Sequence, residues 1–275
     1  MPSAIINGMD VHYEVVGDGP PLLVVNGSAS TIDEARPLVG AFAPRFRVAI
    51  ADARGLGGTS MPEQPYEMGD LAADAIALVD HLGWDTFTLL GLSFGGMVAQ
   101  EIAVTVPGRI RRLVLMCTSS GGAGGSSYPL HELARLDPEE RAARSMLLAD
   151  TRFTPEWLAD HPSVREQLEL LSQRRGEPQT ASALRGAELQ LQARIGHDVY
   201  ERLPRISCPT LVASGRFDGI APPENGARLA ARIPGAELRL YEGGHGFYVQ
   251  DSNALPDILA FVGGAAAEPG TNEGV

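Results

Sequence analysis

Gly91-Leu92-Ser93-Phe94-Gly95-Gly96 separates a strand-like run, Thr86-Phe87-Thr88-Leu89-Leu90, from a helix-like run over 97–106. Strand, glycine-flanked serine and helix, in that order, are the parts of a nucleophile elbow, a turn so tight that its serine is strained and its neighbours must lack bulk. Gly91 and Gly95 stand two residues to either side of Ser93, where a Cβ is expected to strike the strand or the helix. Such a turn holds a hydroxyl at the top of a sheet, and the helix behind it points its positive N-terminus at negative charge forming there.

Outward from the elbow, the pattern alternates. Ile5-Ile6-Asn7-Gly8-Met9-Asp10-Val11-His12-Tyr13-Glu14-Val15 predicts a hairpin around Asn-Gly. Short apolar runs at 21–26 and 47–51 predict strands covered on both faces. A helix is expected over 35–42, its start confined by Pro37, and another over 69–82, where apolar residues recur at 71, 75, 78, 79 and 82. The strand at 86–90, the helix at 94–106 and a strand at 111–116 complete a regular α/β alternation, which indicates a mostly parallel, doubly wound sheet.

The rhythm breaks at Ser119-Ser120-Gly121-Gly122-Ala123-Gly124-Gly125-Ser126-Ser127, which reads as a flexible low-complexity stretch. Helices alone are expected from 130 to 203, over 138–149, 154–160, 163–174 and 180–195. Alternation resumes at 210–214, 224–233, 237–241 and 253–262. The expected organisation is an α/β core of 1–118 and 204–263, a helical lid of 119–203, and a small, polar, disordered tail of 264–275.

Composition narrows the function. The 275 residues carry a formal charge of −12, which argues against nucleic acid or an anionic membrane as partner. All 22 basic residues are arginine, so lysine Schiff-base chemistry, a lysine-anchored pyridoxal group and a Walker phosphate loop are excluded. Cys117 and Cys208 are too few and too distant for a zinc site or a disulfide framework, and read as buried thiols. No apolar run reaches the roughly 20 residues of a membrane span. The start, Met1-Pro2-Ser3-Ala4-Ile5-Ile6-Asn7-Gly8, lacks the basic flank and apolar stretch of a signal peptide, from which a cytoplasmic location is expected.

A serine hydroxyl needs a base, usually a histidine oriented by a carboxylate. Of six histidines, His12 falls in the hairpin, His81 in a helix, and His131, His161 and His197 in the inserted helices. His245 alone occupies a glycine-rich loop after a strand, Gly243-Gly244-His245-Gly246, where α/β sites form. Asp218, in Ser214-Gly215-Arg216-Phe217-Asp218-Gly219-Ile220-Ala221-Pro222, also follows a strand. Pro222 and Pro223 put the next helix start several residues later, which disfavours a capping role for it. Ser93, Asp218, His245 is the chain order expected on such a sheet.

With these residues in place the chain resembles the α/β-hydrolase superfamily from about residue 10 to 262. Asp52-Ala53-Arg54-Gly55-Leu56-Gly57-Gly58-Thr59-Ser60 is similar to its Asp-x-Arg-Gly-x-Gly-x-Ser loop, with Asp52 and Arg54 expected to be structural. Ile206-Ser207-Cys208-Pro209-Thr210-Leu211 resembles the segment that re-enters the sheet after a lid. The resemblance implies a Ser93-His245-Asp218 triad, an oxyanion hole from the backbone N–H groups of Phe94 and Ser28, and no cofactor or metal. Asn26-Gly27-Ser28 stands where the superfamily usually has His-Gly-x, so Asn26 departs from the pattern.

The elbow segment and Leu113-Val114-Leu115-Met116-Cys117-Thr118-Ser119 look most like 3-oxoadipate enol-lactonases and related small-ester hydrolases, which implies a small ester or lactone substrate. Asn26, Gly27, Tyr128, Trp157 and Phe247 are the expected substrate contacts, with Met146, Phe153 and Tyr200 as further lid candidates. Cofactor-free perhydrolases and polyketide methylesterases carry similar segments. A lyase, oxygenase or perhydrolase using His245 as base, and a slowly turning ligand-binding protein, therefore stay open. Oligomeric state is not legible.

Overall fold

The structure, a computed structural model, describes residues 2–175 and 180–264. The strands are β1 (Ser3–Ile6), β2 (Met9–Val16), β3 (Pro21–Val25), β4 (Arg47–Ala51), β5 (Phe87–Leu92), β6 (Ile110–Met116), β7 (Thr210–Gly215) and β8 (Glu237–Tyr241). They form one sheet in the order β1-β2-β4-β3-β5-β6-β7-β8. β1–β2 and β2–β4 pair antiparallel and every later pair is parallel. Asn7 and Gly8, at φ 49° and 81°, make the hairpin turn read from the sequence.

Helices α1 (Ile32–Phe42), α2 (Met68–His81) and α3 (Phe94–Thr105) connect strands in the first half. α4 (Pro138–Ala149), α5 (Pro155–Asp160), α6 (Pro162–Arg175) and α7 (Ala181–Ile195) lie between β6 and β7. α8 (Pro223–Arg232), α9 (Phe247–Gln250) and α10 (Ala254–Val262) follow. Among the described residues none of these helices is long and apolar enough to cross a membrane.

Alternate strand residues serve opposite faces, as the period of two requires. Leu23, Ala49, Leu89, Leu113 and Val212 join α2, α3 and α8 in one buried cluster. Leu22, Val24, Ile50, Leu90, Val114 and Leu211 join α1, α9 and α10 in the other. Both faces being covered explains why these strands read as continuous apolar runs.

Two expectations are corrected. α1 starts at Ile32, three residues earlier than read, because Thr31 N–H donates to Glu34 Oε2 at 2.8 Å and sets the first turn; Pro37 is carried inside, on the exposed side. The glycine-serine stretch at 119–127 is packed rather than loose. Ser119 and Ser120 are fully buried, Gly121 N–H donates to Gly125 at 3.1 Å, and Ser127 N–H donates to Ser119 Oγ at 3.1 Å. Gly121, Gly122 and Gly125 have φ of 72°, 52° and 88°, so the glycines serve a tight turn that other residues resist. Gly121 also bridges Asp198, which joins the two roots of the segment between β6 and β7. The expected tail of 264–275 lies, beyond Gly264, outside the described residues.

Candidate active site

β3 and β5 are neighbours, with Val25 opposite Gly91, yet their connections leave toward opposite edges of the sheet. That switch point opens a crevice beyond their C-terminal ends, where α/β ligands bind. The loop after β3 and the turn after β5 meet there: a Cβ on Gly27 would lie 3.8 Å from the Ser93 Cβ.

Ser93 has φ 55° and ψ −116°, a conformation costly for a residue with a side chain. Its surroundings leave no alternative. A Cβ on Gly91 would fall 2.4 Å from the Gly95 carbonyl oxygen, one on Gly95 2.1 Å from that of Val25, and one on Gly96 2.6 Å from the Thr118 Cβ. Ser93 N–H is spent on the Met116 carbonyl at 2.8 Å, which ties the turn to β6. Phe94 N–H, at the first helical position, and Ser28 N–H have no acceptor among the described residues.

His245 Nε2 is 2.8 Å from Ser93 Oγ, and its Nδ1 is 2.8 Å and 3.0 Å from Asp218 Oδ2 and Oδ1. Asp218 is 2% exposed, and its Oδ1 also accepts the N–H groups of Ile220 and Ala221, both at 2.8 Å. A carboxylate so bonded keeps its position, and so holds the imidazole with Nδ1 as donor and Nε2 as acceptor toward the hydroxyl. The C-terminus of α4 locks both loops. The Leu148 carbonyl accepts Gly219 N–H at 3.0 Å, and the Ala149 carbonyl accepts His245 N–H at 2.7 Å. Gly219 and Gly244 permit that approach, since a Cβ on Gly244 would lie 2.0 Å from the Ala149 oxygen.

The loop after β3 is built without a histidine. Asn26 Oδ1 accepts Gly27 N–H at 2.9 Å and its Nδ2 donates to the Thr31 carbonyl at 3.0 Å, closing the turn on itself. Ala29, at φ 55°, donates its N–H to Gln190 Oε1 of α7 at 2.7 Å. Asp52 and Arg54 have framework contacts: Asp52 accepts from His12 Nδ1, Ile32 N–H and Gly58 N–H, and Arg54 pairs with Asp74.

Two cavities flank the crevice. One of about 70 Å³ is mostly apolar and touches Asn26, Gly27, Phe94, Val98 and Gln190. The other, of about 190 Å³, lies between Met97, Ser119, Ser127, Arg194 and His197. Tyr128 adjoins the second through its backbone, its N–H on Ile220 at 2.7 Å and its carbonyl under Arg194. Trp157 stacks on His161, has Phe153 tilted against it, and lines neither cavity. Phe247 is fully buried against Tyr241 in the core, because the short helix after His245 turns it inward.

Among the described residues, the cluster whose ligand-type atoms fall within 4.8 Å of one another is Cys117, Asp218 and His245. Burial first, and then the Asp218 charge, push the Cys117 thiol well above its usual range, so it stays protonated. With carboxylate and Nδ1 committed to each other, the set suits a proton better than a cation.

Sequence reading missed Gln190, Arg194 and the α4 carbonyls, whereas Cys117 is the buried thiol it expected. Gly219 and Gly244 were the available signal for those carbonyls, as paired glycines that admit a close neighbour.

Comparison with known proteins agrees with the sheet order. A family model described as alpha/beta hydrolase fold matches residues 20–252. The chain is 30% identical over 239 residues to a poly(3-hydroxyalkanoate) depolymerase of Ectopseudomonas oleovorans, covering 87% of this chain and 82% of that one. It is 29% identical over 248 residues to 3-oxoadipate enol-lactonase 2 of Acinetobacter baylyi, covering 89% and 90%. The crystal structure of the enol-lactonase from Burkholderia xenovorans superposes with a TM-score of 0.76 at 27% identity, over 95% of this chain and 99% of that one. The chain belongs to the alpha/beta hydrolase fold family.

Proposed function

We propose that the protein hydrolyses a small carboxylic ester or lactone through an acyl-enzyme on Ser93. The observation that carries this is the continuous path Ser93 Oγ, His245 Nε2, His245 Nδ1, Asp218, with contacts of 2.8 Å at both junctions. Ser93 attacks the carbonyl carbon while His245 takes its proton. Asp218 keeps the imidazole in the productive tautomer and stabilises the imidazolium. The Phe94 and Ser28 N–H groups receive the oxyanion, a contribution of about 3 kcal/mol per donor in comparable sites. His245 then protonates the departing alkoxide, which for a lactone remains attached to the acyl chain. In the second half His245 deprotonates water, the hydroxide adds to the acyl carbon, and collapse releases Ser93 Oγ, which takes that proton back from His245 as the acid leaves.

Residues 119–203 serve in this reading as a cap over the core of 1–118 and 204–263. The contacts of α4 with the Asp218 and His245 loops, and of α7 with Ala29, support that role, since a cap so bonded shields the site and sets its shape. Asn26 and Gly27 border the acyl side, and Tyr128 and Trp157 belong to the cap.

Burst kinetics with a p-nitrophenyl ester test the reading. A burst with one acyl group per chain is expected, lost in Ser93→Ala with at least a ~10⁴-fold fall in kcat. Full turnover in Ser93→Ala would overturn it.

A further inference from the structure

The loop that carries His245 does not hold its own shape. Gly243 has φ 139°, a backbone region open to glycine, and the N–H of Gly244 finds its acceptor outside the loop, in Gln250 Oε1 at 2.8 Å. Gln250 ends α9 at an exposed position. Its oxygen lies so close to the loop that a Cβ on Gly243 would come within 2.6 Å of it. The amide nitrogen reaches the other way and donates to Asp150 Oδ2 at 3.1 Å, 100 positions earlier in the chain.

Asp150 follows the last residue of α4 and is fully buried. Arg152 Nε donates to its Oδ1 at 2.9 Å, Nη2 to its Oδ2 at 2.6 Å, and Arg152 N–H to Oδ1 at 3.0 Å. A planar fork of this kind fixes a carboxylate in direction as well as in place. The same guanidinium lies 4.2 Å from the centre of the Phe217 ring, and Thr151 N–H donates to the Phe217 carbonyl at 2.8 Å. Residues 150–152 thus touch the chain immediately before Asp218 and, through Gln250, the chain immediately before His245.

Hydrogen-bond chemistry decides what the carboxylate does to Gln250. A side-chain amide can turn over, exchanging oxygen for nitrogen with little change of shape. Gly244 N–H can only donate, so it needs the oxygen. The Asp150 carboxylate, in its ion pair with Arg152, can only accept, so it needs the nitrogen. A flipped amide would set two acceptors against each other at one end and two donors at the other.

We infer that Gln250 is a positioning residue for His245, with Asp150, fixed by Arg152, orienting its amide so that the oxygen holds Gly244 N–H and the imidazole keeps its line to Ser93. The inference rests on His245 acting as the base, as in the acyl-enzyme reading, and the relay works through the backbone of the His245 loop.

Steady-state kinetics on a p-nitrophenyl ester and the 1H NMR spectrum of the substrate-free protein test it together. The proton between His245 Nδ1 and Asp218 is expected to give a low-field resonance that is sharp only while the imidazole is held. Gln250→Met, at an exposed helix end, removes the acceptor without opening the core. Its kcat is expected to fall about tenfold with KM within about twofold, and the resonance to broaden by solvent exchange. A lower melting temperature with kcat and resonance unchanged overturns the positioning role. Gln250→Glu keeps an oxygen for Gly244 but has no donor for Asp150, and its kcat is expected to stay about fivefold down. Recovery to the parent value overturns the part given to Asp150. Asp150→Asn is expected to lower kcat about fivefold in the parent and by less than about twofold in Gln250→Met, because its effect passes through that amide. Equal falls in the two backgrounds overturn the relay. Ser93→Ala, assayed alongside, reports on the acyl-enzyme separately, and the resonance reads the position of His245 even where that variant keeps its turnover.

Discussion

Ser93 shows how single residues carry chemistry and strain together. Its φ of 55° is tolerable only because Gly91, Gly95 and Gly96 present nothing that could collide with strand, helix or Thr118. Gly95→Ala would force a Cβ to within 2.1 Å of the Val25 oxygen. Thermal and urea unfolding are expected to show a loss of about 1–3 kcal/mol, with hydrolysis reduced as the elbow and the β3 loop are pushed apart. At Asp218 the consequence is chemical rather than steric. Asp218→Asn keeps the volume but favours the wrong histidine tautomer, and kcat on a p-nitrophenyl ester is expected to drop about 10⁴-fold with substrate affinity little changed. A variant within tenfold of the parent would show that Asp218 does not orient His245. These residues were legible in the chain because glycine spacing and loop position are local properties.

Elements bring in what spacing does not reveal. α4 ends against two glycines and offers its last carbonyls to the loops of Asp218 and His245. α7 reaches the other side, where Gln190, 2% exposed, accepts the Ala29 N–H. Without that acceptor a partly buried N–H is left unpaired at a cost of about 1 kcal/mol, and the loop bearing Ser28 loosens. Gln190→Leu is therefore expected to lower kcat about tenfold with a smaller change in KM. Gln190→Glu, whose carboxylate also accepts, is expected to recover most of it. Equal kcat in parent and Gln190→Leu would show that α7 does not steady the loop. The helices themselves were readable from periodicity, and α4 and β8 match the ranges read from the sequence. Their docking was not, because Gln190 and Ala29 are 161 positions apart and only the closed fold makes them partners. The stretch at 119–127 was misread for a related reason: glycine and serine suit a flexible linker and a tightly turned, hydrogen-bonded loop equally well.

At the scale of the molecule, His197 links the fold to pH. Desolvation lowers its pKa from 6.5 to about 4, so the unfolded chain takes up the proton first as pH falls. The stability contributed by the neutral ring is complete above pH 6.5 and is lost as the pH drops toward 4, about 3 kcal/mol over that window. Urea denaturation of ligand-free protein across this range is expected to show a slope that His197→Phe flattens. An identical slope in the variant would mean that another group sets the acid limit. The sequence by itself determined the doubly wound sheet, the elbow, and the order Ser93, Asp218, His245, since alternation, turn chemistry and chain order are written along one dimension. Only the tertiary structure decided that Phe247 belongs to the core, that α4 and α7 brace the site, and that Arg194 lines a cavity with Ser127 and the Tyr128 carbonyl as its acceptors. Burial and charge matching depend on which distant segments meet, and that is settled when the two faces of the sheet are covered and the segment between β6 and β7 is closed over its end.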